Sequence, residues 1–451
     1  MQDVCYGDTS LQDAASLNDW NATIRAFLGH GSATPTHLGA VLAANPDFAM
    51  AQALRGLFCM LLGRREMVVT AFEALTLAQA GRADYPRERA FVTALQLWLN
   101  GHPTRAIESL ETILRANPAD TLAMKLSQAI RFVMGDARGM RQSVERVLAA
   151  HGPDHPLRGF AHGCHAFTLE ETGDYAGAEA AGLFGLDAAP DDAWGLHAVT
   201  HVYDMTAQSQ RGIDLITARD GSWLHCNNFR YHVWWHKALL HLDQGQMDAV
   251  LDIYDTKMRV DKTDDYRDIA NASSLLMRLQ LEGISVGTRW DELADLSETR
   301  IEDGCLAFAD LHYILALMGG EREIAIQKLL SRLGQTARTM PDAEFDKILA
   351  HPGLVCATGL AAFAEGNYEA SFVALSAARP VMQSIGGSHA QRDVFERLTI
   401  DAGIRAGQAD KAEALLLQRI SLRAGAEDHF TLLRRGTIAA MRQSSYVHAA
   451  Q

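Results

Sequence analysis

The chain has 451 residues, 48% of them hydrophobic, which is enough apolar surface for a large core, and only 11 prolines interrupt it. Forty-one basic residues against 55 acidic ones leave a formal charge of -14, which repels a phosphate backbone and argues against nucleic acid as a partner. The N-terminal "MQDVCYGDTSLQDAA" lacks a basic stretch followed by an apolar core, and no run of 18 apolar residues occurs, so a cytoplasmic protein without a membrane partner is expected.

Ala, Leu, Gly, Arg and Glu dominate and β-branched runs are scarce, which favours helix throughout. Cys5, Cys59, Cys164, Cys226, Cys305 and Cys356 stand singly without a CxxC pair. That pattern suits reduced thiols and makes a cysteine-based zinc site improbable.

Taken in chain order, apolar helical segments alternate with a recurrent glycine turn. Examples are "LNGHPTRAIESL", "ETGDYAGAEAAG", "DQGQMDAVLDI" and "RAGQADKAEALLL". The glycines fall at Gly63, Gly101, Gly135, Gly173, Gly245, Gly283, Gly320, Gly366 and Gly407, mostly 34 or 38 residues apart, and the turn missing between Gly173 and Gly245 lands on Ala207. This is the tetratricopeptide period of about 34 residues. Gly101 is followed by Ala106, Leu110 and Pro118, and Gly173 by Tyr175, Ala178 and Pro190, at the offsets the repeat requires.

The reason is packing: glycine accepts the left-handed backbone that ends the first helix, and small residues such as Ala106 and Ala178 let the second approach it. Pro190 stops one helix, and Asp191 or Asp192 caps the next. Asp264 or Asp265 does the same farther on. The expected fold is all-α, a right-handed tetratricopeptide-like solenoid of about ten helix pairs forming one domain over residues 1–451, with a mild break near residue 335 and a concave groove lined by the first helix of each pair.

The repeat also sets the phase of the candidate site. Counting from Gly173 and Gly245, His197, His201, Asp204, His232 and Trp235 take groove-facing positions. Glu170 and Glu171 end the preceding first helix, beside the histidine pair, whereas His236 falls one step off. His162, His165 and His241 count as packing positions and read as core histidines. Residues four apart share a helix face, so HxxxH at His197/His201 and at His232/His236 is the spacing with which imidazoles chelate a divalent metal, and neutral imidazole also suits proton transfer. Asn228 and Arg230 lie in "CNNFRYHVWWH", which mixes donors with flat apolar surface as ligand pockets do. "GGSHAQRDVF" places His389, Arg392 and Asp393 at a helix start, where a glycine pair can seat an anion. No GxSxG elbow, HExxH zincin or phosphate-binding glycine loop occurs.

Across "NPDFAMAQALRGL", "CHAFTLEETGDYAGAE", "DDAWGLHAVTHVYDM", "YHVWWHKALLHLDQGQMDAVLDIYD" and "GGSHAQRDVFERL" the chain resembles the tetratricopeptide repeat protein 38 family. The resemblance implies an all-helical repeat fold and carries motif residues onto His197, His201, His232, Trp234, Trp235, His236, Arg392 and Asp393. One departure is Phe91 after "RERA", where the family often has histidine. No agreed reaction comes with it. Two functions therefore stand side by side. One is a binding or scaffold protein that holds a peptide, protein or small molecule in a central His/Trp/Asn-rich pocket. The other is an enzyme or metal-dependent small-molecule binder using Glu170, Glu171 and the four histidines.

Overall fold

The computed structural model describes residues 1–339 and 342–449, with side chains through 443. Among the described residues the regular structure is helical, with only isolated bridges of extended backbone. The helices run in antiparallel pairs: α1 (Ala14–Leu28) with α2 (Thr34–Ala44), α3 (Ala49–Leu61) with α4 (Arg65–Ala80), α5 (Pro86–Leu99) with α6 (Pro103–Ala116), and α7 (Thr121–Val133) with α8 (Ala137–Val147). There follow α9 (Arg158–Glu171) with α10 (Tyr175–Ala188), α11 (Ala193–Met205) with α12 (Ser209–Ala218), α13 (Phe229–Asp243) with α14 (Met247–Ile253), and α15 (Tyr266–Leu281) with α16 (Arg289–Arg300). After α17 (Ala307–Gly319) with α18 (Glu323–Arg338) comes the short α19 (Glu344–Ile348). Then α20 (Leu354–Ala364) pairs with α21 (Tyr368–Ala378), α22 (His389–Arg405) pairs with α23 (Ala409–Leu422), and α24 (His429–Ala449) closes the series. The chain is thus a tetratricopeptide-like helical solenoid, with eleven pairs among the described residues where about ten were expected.

The turn chemistry follows the sequence. Every glycine of the periodic series except Gly320 has positive φ, and Ala207 fills the missing turn at φ 53°. At Gly320 the left-handed residue is its neighbour Glu321, at φ 57°. Asp192 caps α11, its Oδ1 accepting from Trp194 N at 3.2 Å, and Asp265 caps α15, accepting from Arg267 N at 2.9 Å. Both are acidic groups at a positive helix end. α18 runs unbroken through residue 335. Glu344–Ala364 has a mean hydropathy of 1.3 and the length to cross a membrane, but it is broken at His351 (φ -155°, ψ 120°) and packs on α17 and α18.

The concave face is not an open groove. The turns of the early pairs are sealed by the second half of the chain. Glu344 N donates to Gly101 O (2.9 Å), Gln383 Nε2 to Gly135 O (2.9 Å), His389 N to Glu171 Oε1 (2.9 Å), Tyr175 Oη to Leu422 O (2.7 Å) and Arg423 Nη1 to Asp204 Oδ1 (3.0 Å). At Gly135 the approach is so close that a Cβ would lie 1.7 Å from Gln383 O. The coil therefore tightens onto itself, and two cavities adjoin α9, α11 and α13, of about 1100 Å³ and about 350 Å³.

Candidate functional site

The site is built by α9, α11, α13, α15 and the start of α22. α11 is buried along nearly its whole length, which needs small residues beside it. A Cβ at Gly163 of α9 would lie 1.9 Å from the Asp192 carboxylate, so glycine there sets how closely α9 and α11 approach. One turn apart on α11, His197 and His201 point their rings toward α13. His232 and His236, one turn apart on that helix, point back.

The four rings meet at their Nε2 atoms. His201 Nε2 is 2.9 Å from His197 Nε2, His197 Nε2 is 2.9 Å from His232 Nε2, and His232 Nε2 is 3.2 Å from His236 Nε2. All four ligand nitrogens lie within 4.8 Å of one another. His197, His201 and His236 are buried and His232 is half-buried. An aromatic collar surrounds the rings: Phe167 stacks on His197 (centroids 5.5 Å, 24°), Trp235 on His232 (5.2 Å, 18°), and Trp194 leans on His197 at 4.9 Å. Burial first, and the neighbouring rings second, hold His197 and His236 well below the usual imidazole range. Burial likewise brings His232 down to about 3. These rings are neutral, the form that offers a lone pair.

The Nδ1 atoms divide the four into two kinds. His232 Nδ1 faces Asn271 Oδ1 at 3.0 Å, and His201 Nδ1 lies 3.4 Å from Glu170 Oε2. The Asn271 acceptor places the His232 proton at Nδ1 and leaves a bare lone pair at Nε2, whereas the His201–Glu170 contact is an ion-pair distance without a hydrogen bond. His197 Nδ1, His201 Nδ1 and His236 Nδ1 are buried with no hydrogen-bond partner.

Behind His201, Glu170 is fully buried and its Oε1 lies 2.5 Å from His389 Nε2. Burial would raise the Glu170 carboxyl, but His389 and His201 outweigh it and bring it down to about 2. Burial would lower His389, but Glu170 and Glu171 push it up to about 9. Glu171 accepts the His389 backbone N–H at the start of α22, so the anion seated at that helix end is the chain's own carboxylate. Ser388 and Gln391 form a capping box there.

Several expected site residues serve elsewhere. Asp204 is buried in an ion pair with Arg423 (3.0 Å), away from the imidazoles, because the sealing second half of the chain supplies a cation for its position. Arg230 lies at the surface, 3.0 Å from Asp261 Oδ2, as its helix start faces outward. Arg392 donates to the Gly386 and Gly387 carbonyls and lies 3.6 Å from Glu171, bracing the loop. Trp235 supports His232 from behind, and Asn228 lines the smaller cavity and donates to Asp268 at 3.4 Å. His236 joins the cluster although its repeat position left its direction open. His162, His165 and His241 are half-buried at the rim rather than in the core, since the solenoid's outer layer is thin there. Asn271 and the pairing of His389 with Glu170 were not legible from repeat phase, because both depend on how the coil closes.

His197 and His232 line the smaller cavity, whereas Glu170 and His389 line the larger, so the imidazole cluster and Glu170 stand in the wall between them. No family model matches the chain. Among solved structures it is similar to a monomeric mutant of IFIT1 with Gppp-AAAA, at 12% identity and a TM-score of 0.35 over 96% of both chains. It is also similar to a chain of Naa15/Naa10 bound to HypK-THB, at 14% identity and a TM-score of 0.25, over 93% of this chain and 65% of that one.

Proposed function

We propose that this chain is a binding protein of the tetratricopeptide repeat protein 38 kind whose sealed interior holds one divalent transition-metal ion on His197, His201, His232 and His236, with a small-molecule pocket against it. One observation carries the reading: four imidazoles direct Nε2 at a common point, within an aromatic collar, at separations of 2.9, 2.9 and 3.2 Å. Zinc–nitrogen bonds of about 2.0–2.1 Å in a tetrahedron imply nitrogens about 3.3–3.4 Å apart. Without an ion the cluster is costly, because each ring spends its polar edge on another ring while three Nδ1 atoms stay unpaired.

Asn271 orients one ligand by accepting at His232 Nδ1, and the Glu170 carboxylate, 3.4 Å from His201 Nδ1, sets a negative charge behind a second. When bound, the ion supplies a Lewis-acidic charge in a water-poor cavity wall. The closing of the concave face favours a small ligand over a peptide.

Elemental analysis of the purified protein tests this. The expected result is about one equivalent of zinc, iron, manganese or copper per chain, absent from a His197→Ala/His201→Ala variant that keeps its helical circular dichroism. Wild-type protein that stays metal-free after incubation with zinc would falsify the proposal.

A further inference from the structure

The cavity of about 350 Å³ beside His197 and His232 contains a second feature that the imidazole cluster does not use. Lys125, on α7, lines it and is only 5% exposed. Its ammonium rests over the Trp194 ring at 4.3 Å and, among the described residues, makes no hydrogen bond or ion pair. Cations are almost never buried unpaired.

The other charged groups nearby do not release this one. Arg267 is occupied by Asp265 at 2.6 Å. Asp268 accepts from Thr263 and Asn228. Asp192 feels Lys125 electrostatically, but its carboxylate is held as the cap of α11 and its Oδ2 is itself unpartnered. His30 faces the same space, is stacked on Phe229 at 4.3 Å, and is kept neutral by burial. The apolar part of the wall comes from Phe58, Phe132, Phe167 and Phe308 on four different helices, beside the neutral amides of Gln128, Asn227, Asn271 and Gln391.

We infer that this cavity binds a small organic carboxylate with an apolar body, its carboxylate paired to Lys125 and its hydrocarbon among the phenylalanines. The volume lies at the lower end of the roughly 300–1000 Å³ usual for ligand pockets, which sets the size at a medium-chain or single-ring acid. The site adjoins the proposed metal centre and in that sense extends the reading above, but the anchor does not depend on the ion.

Isothermal titration calorimetry with decanoate and with decanol separates the possibilities. Decanoate is expected to bind one per chain and more tightly than decanol. Lys125→Gln is expected to weaken decanoate by about ten- to hundredfold, the worth of a charge-assisted hydrogen bond, and to leave decanol and the metal content unchanged. Lys125→Met, which keeps the stem against Trp194, is the companion variant should the first fail to fold. His197→Ala/His201→Ala is expected to retain decanoate binding. Decanoate binding no tighter than decanol, or unaffected by either Lys125 variant, overturns the inference. So does decanoate binding lost in the histidine variant but kept in Lys125→Gln, which places the carboxylate on the metal and leaves the metal reading standing. A metal-free wild type that binds decanoate through Lys125 does the reverse.

Discussion

Two buried polar clusters hold the middle and the end of this molecule, and they are satisfied in opposite ways. Between α22, α23 and α24, Arg419 donates to Asp393 at 2.6 Å and to Asp428 at 2.6 and 3.0 Å, and Arg397 reaches the same two carboxylates at 2.7 and 3.2 Å. Arg423 extends the clasp to Asp204 and Asp243. Each guanidinium there meets carboxylates through paired, directional bonds, with Arg423 Nε the one nitrogen of these three arginines left over. Between α11 and α13 the imidazoles bond chiefly to one another and leave nitrogens unpartnered. A cluster that completes itself is explained by the architecture it fastens, here the seal of the second half over the first. One that does not complete itself points to a ligand.

The largest expected effect comes from breaking the clasp. Asp428→Asn leaves Arg397 and Arg419 without a full set of partners at a buried site, and should cost about 3–5 kcal/mol in urea unfolding. His236→Leu, made in metal-free protein, removes a ring whose Nδ1 has no partner and should change stability by less than about 1 kcal/mol. Equal losses in the two variants would erase the distinction between fastening and site.

The same contrast explains what the sequence could and could not reveal. Repeat phase is local: a glycine every 34 or 38 residues fixes which face of each first helix looks inward. It therefore placed His197, His201, His232 and Glu170 correctly on neighbouring helices. How many repeats fit in one superhelical turn is a property of the whole coil. The partners supplied across that turn stayed hidden for this reason: His389 for Glu170, Arg423 for Asp204, and the Phe308 side of the cavity that isolates Lys125. His389 stood in a noticeable motif, "GGSHAQRDVF", but a motif at residue 389 carries no sign that it faces residue 170.

A sharper test lies on the histidine helix itself. Burial pushes the Asp192 carboxyl up to about 7, against the pull of Lys125, and its Oδ2 has no partner. The folded chain thus holds a proton that the unfolded chain, with a carboxyl pKa of about 3.9, gives up earlier. Stability from this group is fullest below about pH 4 and declines as pH rises toward 7. Asp192→Asn keeps the oxygen that caps Trp194 N and abolishes the titration. Its melting temperature relative to wild type should therefore rise between pH 5 and pH 8, by on the order of 2 kcal/mol of stability. A pH-independent difference would mean that Asp192 is already paired and that this side of the molecule carries less unsatisfied polarity than the imidazoles suggest.

The smallest effect separates both clusters from the scaffold that carries them. α11 ends at Ala207, whose φ of 53° is the left-handed conformation that glycine supplies at most other turns of the series. A Cβ in that conformation costs about 1–2 kcal/mol, and glycine returns roughly 0.4–1 kcal/mol of that through the greater entropy of the unfolded chain. Ala207→Gly should therefore stabilise the protein by about 0.5–1 kcal/mol, read as a raised urea midpoint with unchanged m. Because Ala207 lies beyond the last turn of α11 and meets the clasp only through its backbone N–H on Asp204 O, which glycine keeps, metal content and decanoate binding should be unaltered. A change in either would show that the helix end sets the direction of the His197 and His201 rings, and that the turn belongs to the site.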